Sequence, residues 1–477
     1  MTVTIASLVF LICAVIVYYV VPKRFRKYFL CAVSLAYGIK LSALTFISVL
    51  ITGVLAYLGA LIIQKLRIKE KTIGLKVVTY SLVALFSLSL LLLKYILAYS
   101  SSLFPEGSLL TKVIMPFGYS FYVFQVISYI VDVKRGTTEP SRNPIDVLLY
   151  LSFFPKFVSG PIERFGRFEA QIKALPDVRI TDVTRWKRAI YYLLYGAFMK
   201  LVIADRLGIY VDRVFDGYHQ YGFIILLATA LAYTIQIYCD FAGYSYIAIG
   251  AGLAFGIEIV KNFDMPYSAN NITEFWRRWH MSLSSWLTDY LYIPLGGNRK
   301  GLLRKLINTM IVFVICGIWH GAGIKFIFWG CLHGTYSAID SILKSRGVTF
   351  IRSGRLGRII TFIEVSFAWV FFKSTSLMSG LKYFVSMFRN GLGIENLSVD
   401  LARIELKNIE IIVIIVLTIA ITLLDRFSYN RGVSIPELVA KQKQSVRCVV
   451  FYLLFVTIMI LGIYGPDMGS RLIYMQF

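Results

Sequence analysis

A chain of 477 residues that is 57% hydrophobic and only 16% charged is too apolar for a soluble enzyme, where about a quarter of residues are charged. Its formal charge of +24 lies in short connections between long apolar runs. That pattern fits cytoplasmic positive loops and excludes a nucleic-acid partner, for which no basic recognition module is present.

The expected class is an all-α polytopic membrane protein. Residues Val3 to Val21 predict a first span that lacks the basic leader of a cleavable signal. Lys23, Arg24, Arg26 and Lys27 follow it and set the N-terminus outside. Tyr28 to Ile39 counts as a short span, because two helices must separate that basic group from the basic loop Lys65 to Lys76. Leu44 to Ile63 is the other. Val77 to Ala98 crosses outward to a polar loop at 100–111, and Ile114 to Val131 crosses back. In this last segment Pro116 and Gly118 predict a late helix start, and Gln125, Ser128, Tyr129 and Asp132 share one face.

Val147 to Pro161 is apolar but broken by Pro155, Lys156, Gly160 and Pro161, as in a re-entrant segment. Glu163 to Arg188 is polar and basic, hence cytoplasmic. Ala189 to Ala204 and Phe223 to Phe255 are spans. The second carries Asp240 on one face with Gln236 and Tyr244. An acid at membrane depth must be neutral, paired or solvated, so Asp240 either pairs with a structural Arg or caps a neighbour, or else orients a site histidine or borders a tunnel. Beyond the centre, Ile359 to Phe372 is a short span and Ser374 to Lys407 an external polar loop. Ile409 to Leu424 and Val446 to Ile463 are spans joined by a basic cytoplasmic connection. The count is about 11 or 12 spans with one or two re-entrant pieces, at ~20 residues per span. They form one membrane domain over residues 1–477, with no internal repeat.

Cys13, Cys31, Cys239, Cys316, Cys331 and Cys448 all lie in apolar stretches without a CxxC pair. They predict buried small hydrophobes, not disulfides or a zinc site. No metal and no bound cofactor is expected.

The chemistry concentrates between Glu274 and Gly334, which holds His280, His320 and His333; His219 lies in a polar connection and faces solvent. FWRRWH sets Arg277 and Arg278 beside aromatics at a membrane boundary, where they anchor the helix or attract a phosphate-bearing donor. His280 opens an amphipathic helix of about three turns, with Leu283, Trp286, Leu287, Tyr290 and Leu291 on one side and Ser282, Ser285 and Asp289 on the other. GGNRKG ends it; Gly296 and Gly297 allow close backbone approach, and Asn298, Arg299 and Lys300 could hold an anion. His320 sits in Trp-His-Gly-Ala-Gly between apolar runs, where glycines let the helix break and a substrate approach. Imidazole accepts and returns a proton near neutral pH, which suits a general base. His333 follows 13 residues later; on a continuous helix that is about 20 Å away, so it is assigned to packing. Neither GxSxG nor HExxH occurs. Candidate substrate or donor contacts are Arg277, Arg278, Trp279, Asp289, Asn298, Arg299, Trp319 and Asp240.

Five segments taken in order resemble the membrane-bound O-acyltransferase family: PFGYSFYVFQVISYIVDVKRG, FFPKFVSGPIERF, IYCDFAGYSYIAIG, NFDMPYSANNITEFWRRWHMSLSSWLTDYLYIPLGGNRKG and GIWHGAGIKFIFWGCLHG. The branch it resembles modifies alginate, other polysaccharides or peptidoglycan in bacteria; the teichoic-acid D-alanylation branch is more distant. The resemblance implies a helical bundle around a central tunnel, with His320 as catalytic histidine and His280 as a second site residue. It also implies a bacterial inner-membrane enzyme that moves acetyl from a cytoplasmic donor, acetyl-CoA, to an extracytoplasmic polysaccharide acceptor, with an extracytoplasmic acetyltransferase as partner protein. Where alginate-type relatives carry Ser-Asp after Gly-Tyr, this chain has Ser245 and Tyr246, so no role carries over to that position. In the expected mechanism His320 deprotonates a hydroxyl as it meets an acetyl thioester, while His280, Asp289 or a backbone amide steadies the oxyanion. A flippase for polymer or lipid-linked sugar, and a structural scaffold of an export complex, are the rival classes; neither consumes a thioester.

Overall fold

Long runs of Leu, Ile, Val and Phe leave backbone amides no partner in lipid but one another, so they form helices. The computed structural model describes residues 5–103, 115–348, 350–464 and 473, and all of its regular structure is helical. In order these are α1 (Ile5–Val20), α2 (Arg26–Leu41), α3 (Ala43–Ile68), α4 (Thr72–Leu103), α5 (Tyr119–Arg135), α6 (Pro144–Ser152), α7 (Phe165–Ala174) and α8 (Val183–Ala197). Then come α9 (Asp205–Asp216), α10 (Phe223–Ala254), α11 (Ile272–Arg278), α12 (Met281–Leu287), α13 (Gly301–His320), α14 (Ile324–Ser345) and α15 (Gly354–Lys373). The chain closes with α16 (Leu377–Arg389), α17 (Leu397–Arg403), α18 (Asn408–Arg431), α19 (Ile435–Ala440) and α20 (Gln444–Leu461). Among the described residues six helices, α3, α4, α10, α13, α18 and α20, are long and apolar enough to cross a membrane, and Ala6–Val20 is a shorter apolar one.

Two compact units are present, residues 1–193 with 247–261 and residues 194–246 with 262–477. In the first, Gly118 takes φ 74° and starts α5 late, as the Pro-x-Gly pattern predicts. The predicted re-entrant segment is the nine-residue α6 followed by irregular, buried backbone through Pro161. Lys156 lies there, fully buried, and donates to Gln125 Oε1 at 2.9 Å and to the Tyr150 carbonyl at 2.7 Å. Gln125 is thereby explained as a packing partner on α5. The basic loop expected from Lys65 to Lys76 shrinks to 69–71, because both helices run on into it. The outer loop at 100–111 lies outside the described residues from 104 onward, as does Ile114.

In the second unit the span predicted at Ala189 to Ala204 ends in a π-helical turn, Phe198–Ala204. The turn brings Lys200 between two carboxylates, Asp205 and Asp240, each at 2.6 Å and all buried. Asp240 therefore pairs with a lysine, not the expected arginine. Its second oxygen accepts the Ile473 amide at 2.8 Å. The polar loop expected from Ser374 to Lys407 is instead α16 and α17. Ser376 and Ser379 close a capping box there, which supplies the N-terminal stop that hydropathy does not register. Cys13 and Cys448 also depart from expectation: they are exposed, because they lie on outward faces of apolar helices, while Cys31, Cys239 and Cys316 are buried.

Candidate active site

Three glycines set the geometry of the α13–α14 hairpin. A methyl added to Gly317 would overlap the Phe326 carbonyl, one on Gly330 the Phe313 carbonyl, and one on Gly334 the Met310 side chain. Only bare backbone permits that approach. The turn itself is 321–323, with Gly321 fully extended, so α13 stops at His320 and the chain reverses. This break overturns the separation inferred for a continuous helix. His320 and His333 both stack edge-on against Trp329, at 5.0 and 4.8 Å between ring centroids.

His333 nevertheless behaves as a packed group. It is fully buried, and its Nδ1 accepts the Trp276 indole N–H at 3.2 Å. Phe275, Phe313 and Trp369 complete its ring surround.

His320 and His280 converge on Trp319. That indole lies 4.6 Å from the His320 ring and 6.2 Å from the His280 ring. Phe372 closes on His320 at 5.2 Å, and Phe241 on His280 at 4.8 Å. Both imidazoles are buried. Phe241 follows Asp240 directly on α10, so the Lys200–Asp240 pair braces the helix turn that packs on His280.

His280 heads α12 in the left-handed region, φ 45°, an unfavourable conformation for a side chain with a Cβ. Residues 262–264 hold it there: the Met281 amide donates to the Asn262 carbonyl and the Asp264 amide to the Arg278 carbonyl, both at 2.9 Å. The Asn262 Oδ1 then accepts the Ser282 amide at 3.2 Å and the Ser282 hydroxyl at 2.8 Å. These two donors fix it as the oxygen, so the His280 Nδ1 at 3.1 Å must carry the proton. Burial pushes the His280 imidazole down to about 3, so the ring is neutral and its Nε2 presents a lone pair. An acceptor nitrogen cannot donate to an oxyanion. As such a nitrogen it can accept a hydrogen bond from a hydroxyl. Ser282, expected on the polar side of α12, is buried because it belongs to this cluster. α12 itself is two turns, continued by a π turn, Thr288–Tyr292, that carries the half-buried Asp289.

A second feature lies at the opposite end of α13. A polar cavity of about 660 Å³ is lined by Asp264, Asn271, Glu274, Arg277, Arg278, Lys305, Asp340, Lys344 and Arg352, among others. Arg278 is matched by Glu274 at 3.0 Å and Asp264 at 3.3 Å. Arg352 is matched by Glu364 at 2.7 Å and Asp340 at 2.8 Å. Burial works to raise the Glu274 carboxyl, but hydrogen bonds from Asn270 and the Arg278 charge outweigh it and hold the group below its usual range. Arg277, Lys305 and Lys344 line the same cavity, and among the described residues no carboxylate pairs with them.

The remaining candidates lie elsewhere. Trp279 is fully buried, stacked on Phe275 and packed against Phe263 and Trp369. Asn298 and Arg299 are exposed on a loop shaped by Asn308, whose amide donates to the Gly297 carbonyl at 2.9 Å where Gly297 takes φ 57°. They do not line the cavity. Tyr246 is a buried ring 5.6 Å from Tyr195. Sequence reading missed Asn262, Trp329, Phe372, Lys305 and Lys344. Asn262 opens one of the five segments quoted above, but nothing in it singles out that residue, whereas the lysines at the helix ends were visible as charges.

The model of the membrane-bound O-acyltransferase family matches residues 33–381. The chain is 41% identical, over 60% of its length, to a Pseudomonas fluorescens protein named probable alginate O-acetylase, and spans 57% of that relative. It is 36% identical, over 60% of its length, to the Helicobacter pylori peptidoglycan O-acetyltransferase, spanning 59% of it. It is 30% identical, over 46% of its length, to the Streptococcus thermophilus teichoic acid D-alanyltransferase, spanning 54% of it. The six long apolar helices and these bacterial relatives describe a multi-pass bacterial membrane protein. On the family match across most of its length, the chain belongs to the membrane-bound O-acyltransferase family.

Proposed function

We propose that the protein transfers acetyl groups from acetyl-CoA in the cytoplasm to hydroxyls of an extracytoplasmic polysaccharide or peptidoglycan, directly or through an extracytoplasmic acetyltransferase partner. The observation that carries the reading is the pairing of His280 and His320 across Trp319 at a glycine-broken helix end. Two further facts support it. The family match at 33–381 spans this stretch, and relatives bearing O-acetylase and O-acetyltransferase names are 41% and 36% identical to the chain. The unpaired cations of the cavity lie at the far end of the same helix: Lys305 and His320 are separated on α13 by about 22 Å at 1.5 Å per residue. That is the reach of an extended pantetheine arm, with phosphates at Arg277, Lys305 and Lys344 and the thioester at His320. The positive-inside rule puts the Lys- and Arg-rich start of α13 in the cytoplasm, so His320 faces the outer side.

In this mechanism His320 takes the hydroxyl proton while the oxygen attacks the acetyl carbonyl. The C–S bond then breaks, and the imidazolium returns the proton to the departing thiolate. His280 Nε2 orients the hydroxyl. Radiolabelled acetyl-CoA supplied to the protein in lipid vesicles tests this. His320→Ala should abolish thioester consumption while the protein stays monodisperse; unchanged consumption overturns the assignment. A flippase would move polymer or lipid-linked sugar without consuming thioester at all.

A further inference from the structure

The segment 374–407 is not absorbed by the chemistry, and its first helix presents an unexpected surface. Along α16, Met378, Leu381, Val385 and Phe388 recur at steps of three and four, so they form one stripe. They are 58, 42, 60 and 76% exposed. The opposite face, Gly380, Tyr383 and Met387, is buried. Stretches beyond it continue the exposed apolar surface through Leu392 and Ile394.

The hydrogen bonds of α16 fix its level. The first amides of the spanning helix α10 lack intrahelical acceptors. Phe223 donates to the Gly391 carbonyl at 2.9 Å and Ile224 to the Leu392 carbonyl at 3.3 Å. Tyr383 Oη donates to the Leu226 carbonyl at 2.6 Å, and Asn390 to the Tyr221 carbonyl at 2.9 Å. Phe384 stacks on Phe367 of α15 at 4.5 Å. The helix is therefore stitched across the end of a membrane span, not held out in water. The helices it packs on also expose apolar side chains, Leu227 and Leu231 on α10 and Ile363 and Phe367 on α15. The charged residues of α16 are Lys382 and Arg389, both exposed and without an ion pair among the described residues.

We propose that α16 is an in-plane interfacial helix, its Met378–Leu381–Val385–Phe388 stripe seated in the acyl–headgroup boundary of an anionic phospholipid leaflet and Lys382 and Arg389 on the headgroups. A stripe of this width with flanking cations is what interfacial binding requires. The anchor sits on the His320 side of the hairpin: Lys325, at the start of α14, donates to the carbonyls of Phe372 and Ser374, at 3.2 and 2.6 Å. It thus sets the depth at which Phe372 meets His320.

The test is Phe388→p-benzoylphenylalanine in the full chain, photolysed in vesicles of phosphatidylglycerol and phosphatidylethanolamine and read by mass spectrometry. Lipid adducts should dominate, well above those from Lys441→p-benzoylphenylalanine. Lys382→Gln and Arg389→Gln should each lower the anionic-to-zwitterionic adduct ratio by about fivefold. Crosslinks to a second copy, or adducts no more frequent than the Lys441 control, would overturn the proposal, as would a lipid ratio indifferent to both cations.

Discussion

Replacing Asn262 with Leu removes one oxygen and keeps the volume. That oxygen accepts from His280 Nδ1, the Ser282 amide and the Ser282 hydroxyl. Each donor it orphans in the buried cluster costs about 1–3 kcal/mol, so measurable thermal destabilisation is expected. The effect on transfer follows from the lost His280 bond. A net hydrogen bond of about 1.4 kcal/mol corresponds to tenfold, and a displacement of the ring by about 1 Å to ~100-fold. Acetyl turnover from labelled acetyl-CoA should therefore fall between about 10- and 100-fold. Asn262→Asp keeps the acceptor and should lose less. Because Asn262 acts through His280, the double variant Asn262→Leu/His280→Ala should be no slower than His280→Ala alone. Full additivity of the two losses, or Asn262→Leu turnover within about twofold of the parent, would refute the positioning argument.

His320→Gln, which keeps polarity but not basicity, should reduce turnover by about 10²–10⁴-fold with little change in thermal midpoint. Lys305→Glu and Lys344→Glu should raise the KM for acetyl-CoA more than they lower kcat, and should weaken its ionic-strength dependence; an unchanged KM would remove the cavity from the donor path. Gly317→Ala and Gly330→Ala should destabilise by about 1–3 kcal/mol through backbone overlap, whereas Gly323→Ala, whose nearest new contact is 3.6 Å, should be tolerated in a melting assay. Lys200→Met leaves Asp205 and Asp240 buried without their cation, and a loss of about 3–5 kcal/mol is expected; Lys200→Arg should recover part of it, and equal melting of all three proteins would contradict the ion-pair reading.

Helix existence was decided locally. An apolar run of span length has few alternatives in lipid, so α3, α4, α10, α13, α18 and α20 emerge close to where composition puts them. Gly118 and its late helix start are equally local, since the backbone there needs a positive φ. The sequence also carried the family, whose model matches residues 33–381. It did not carry distances between elements. Whether His333 lies about 20 Å from His320 or shares an indole with it depends on a three-residue break, and a Gly-Ala-Gly run permits either geometry. Asp240 needed a cation, but which one depended on a π turn that advances Lys200 toward it. Asn262 gave no signal, because an isolated asparagine earns its role only from the donors that folding delivers to its oxygen. Residue type and hydropathy thus determined what each segment becomes and which side chains can act; the close glycine-lined approach of α13 and α14, a property of two helices together, decided which of them meet.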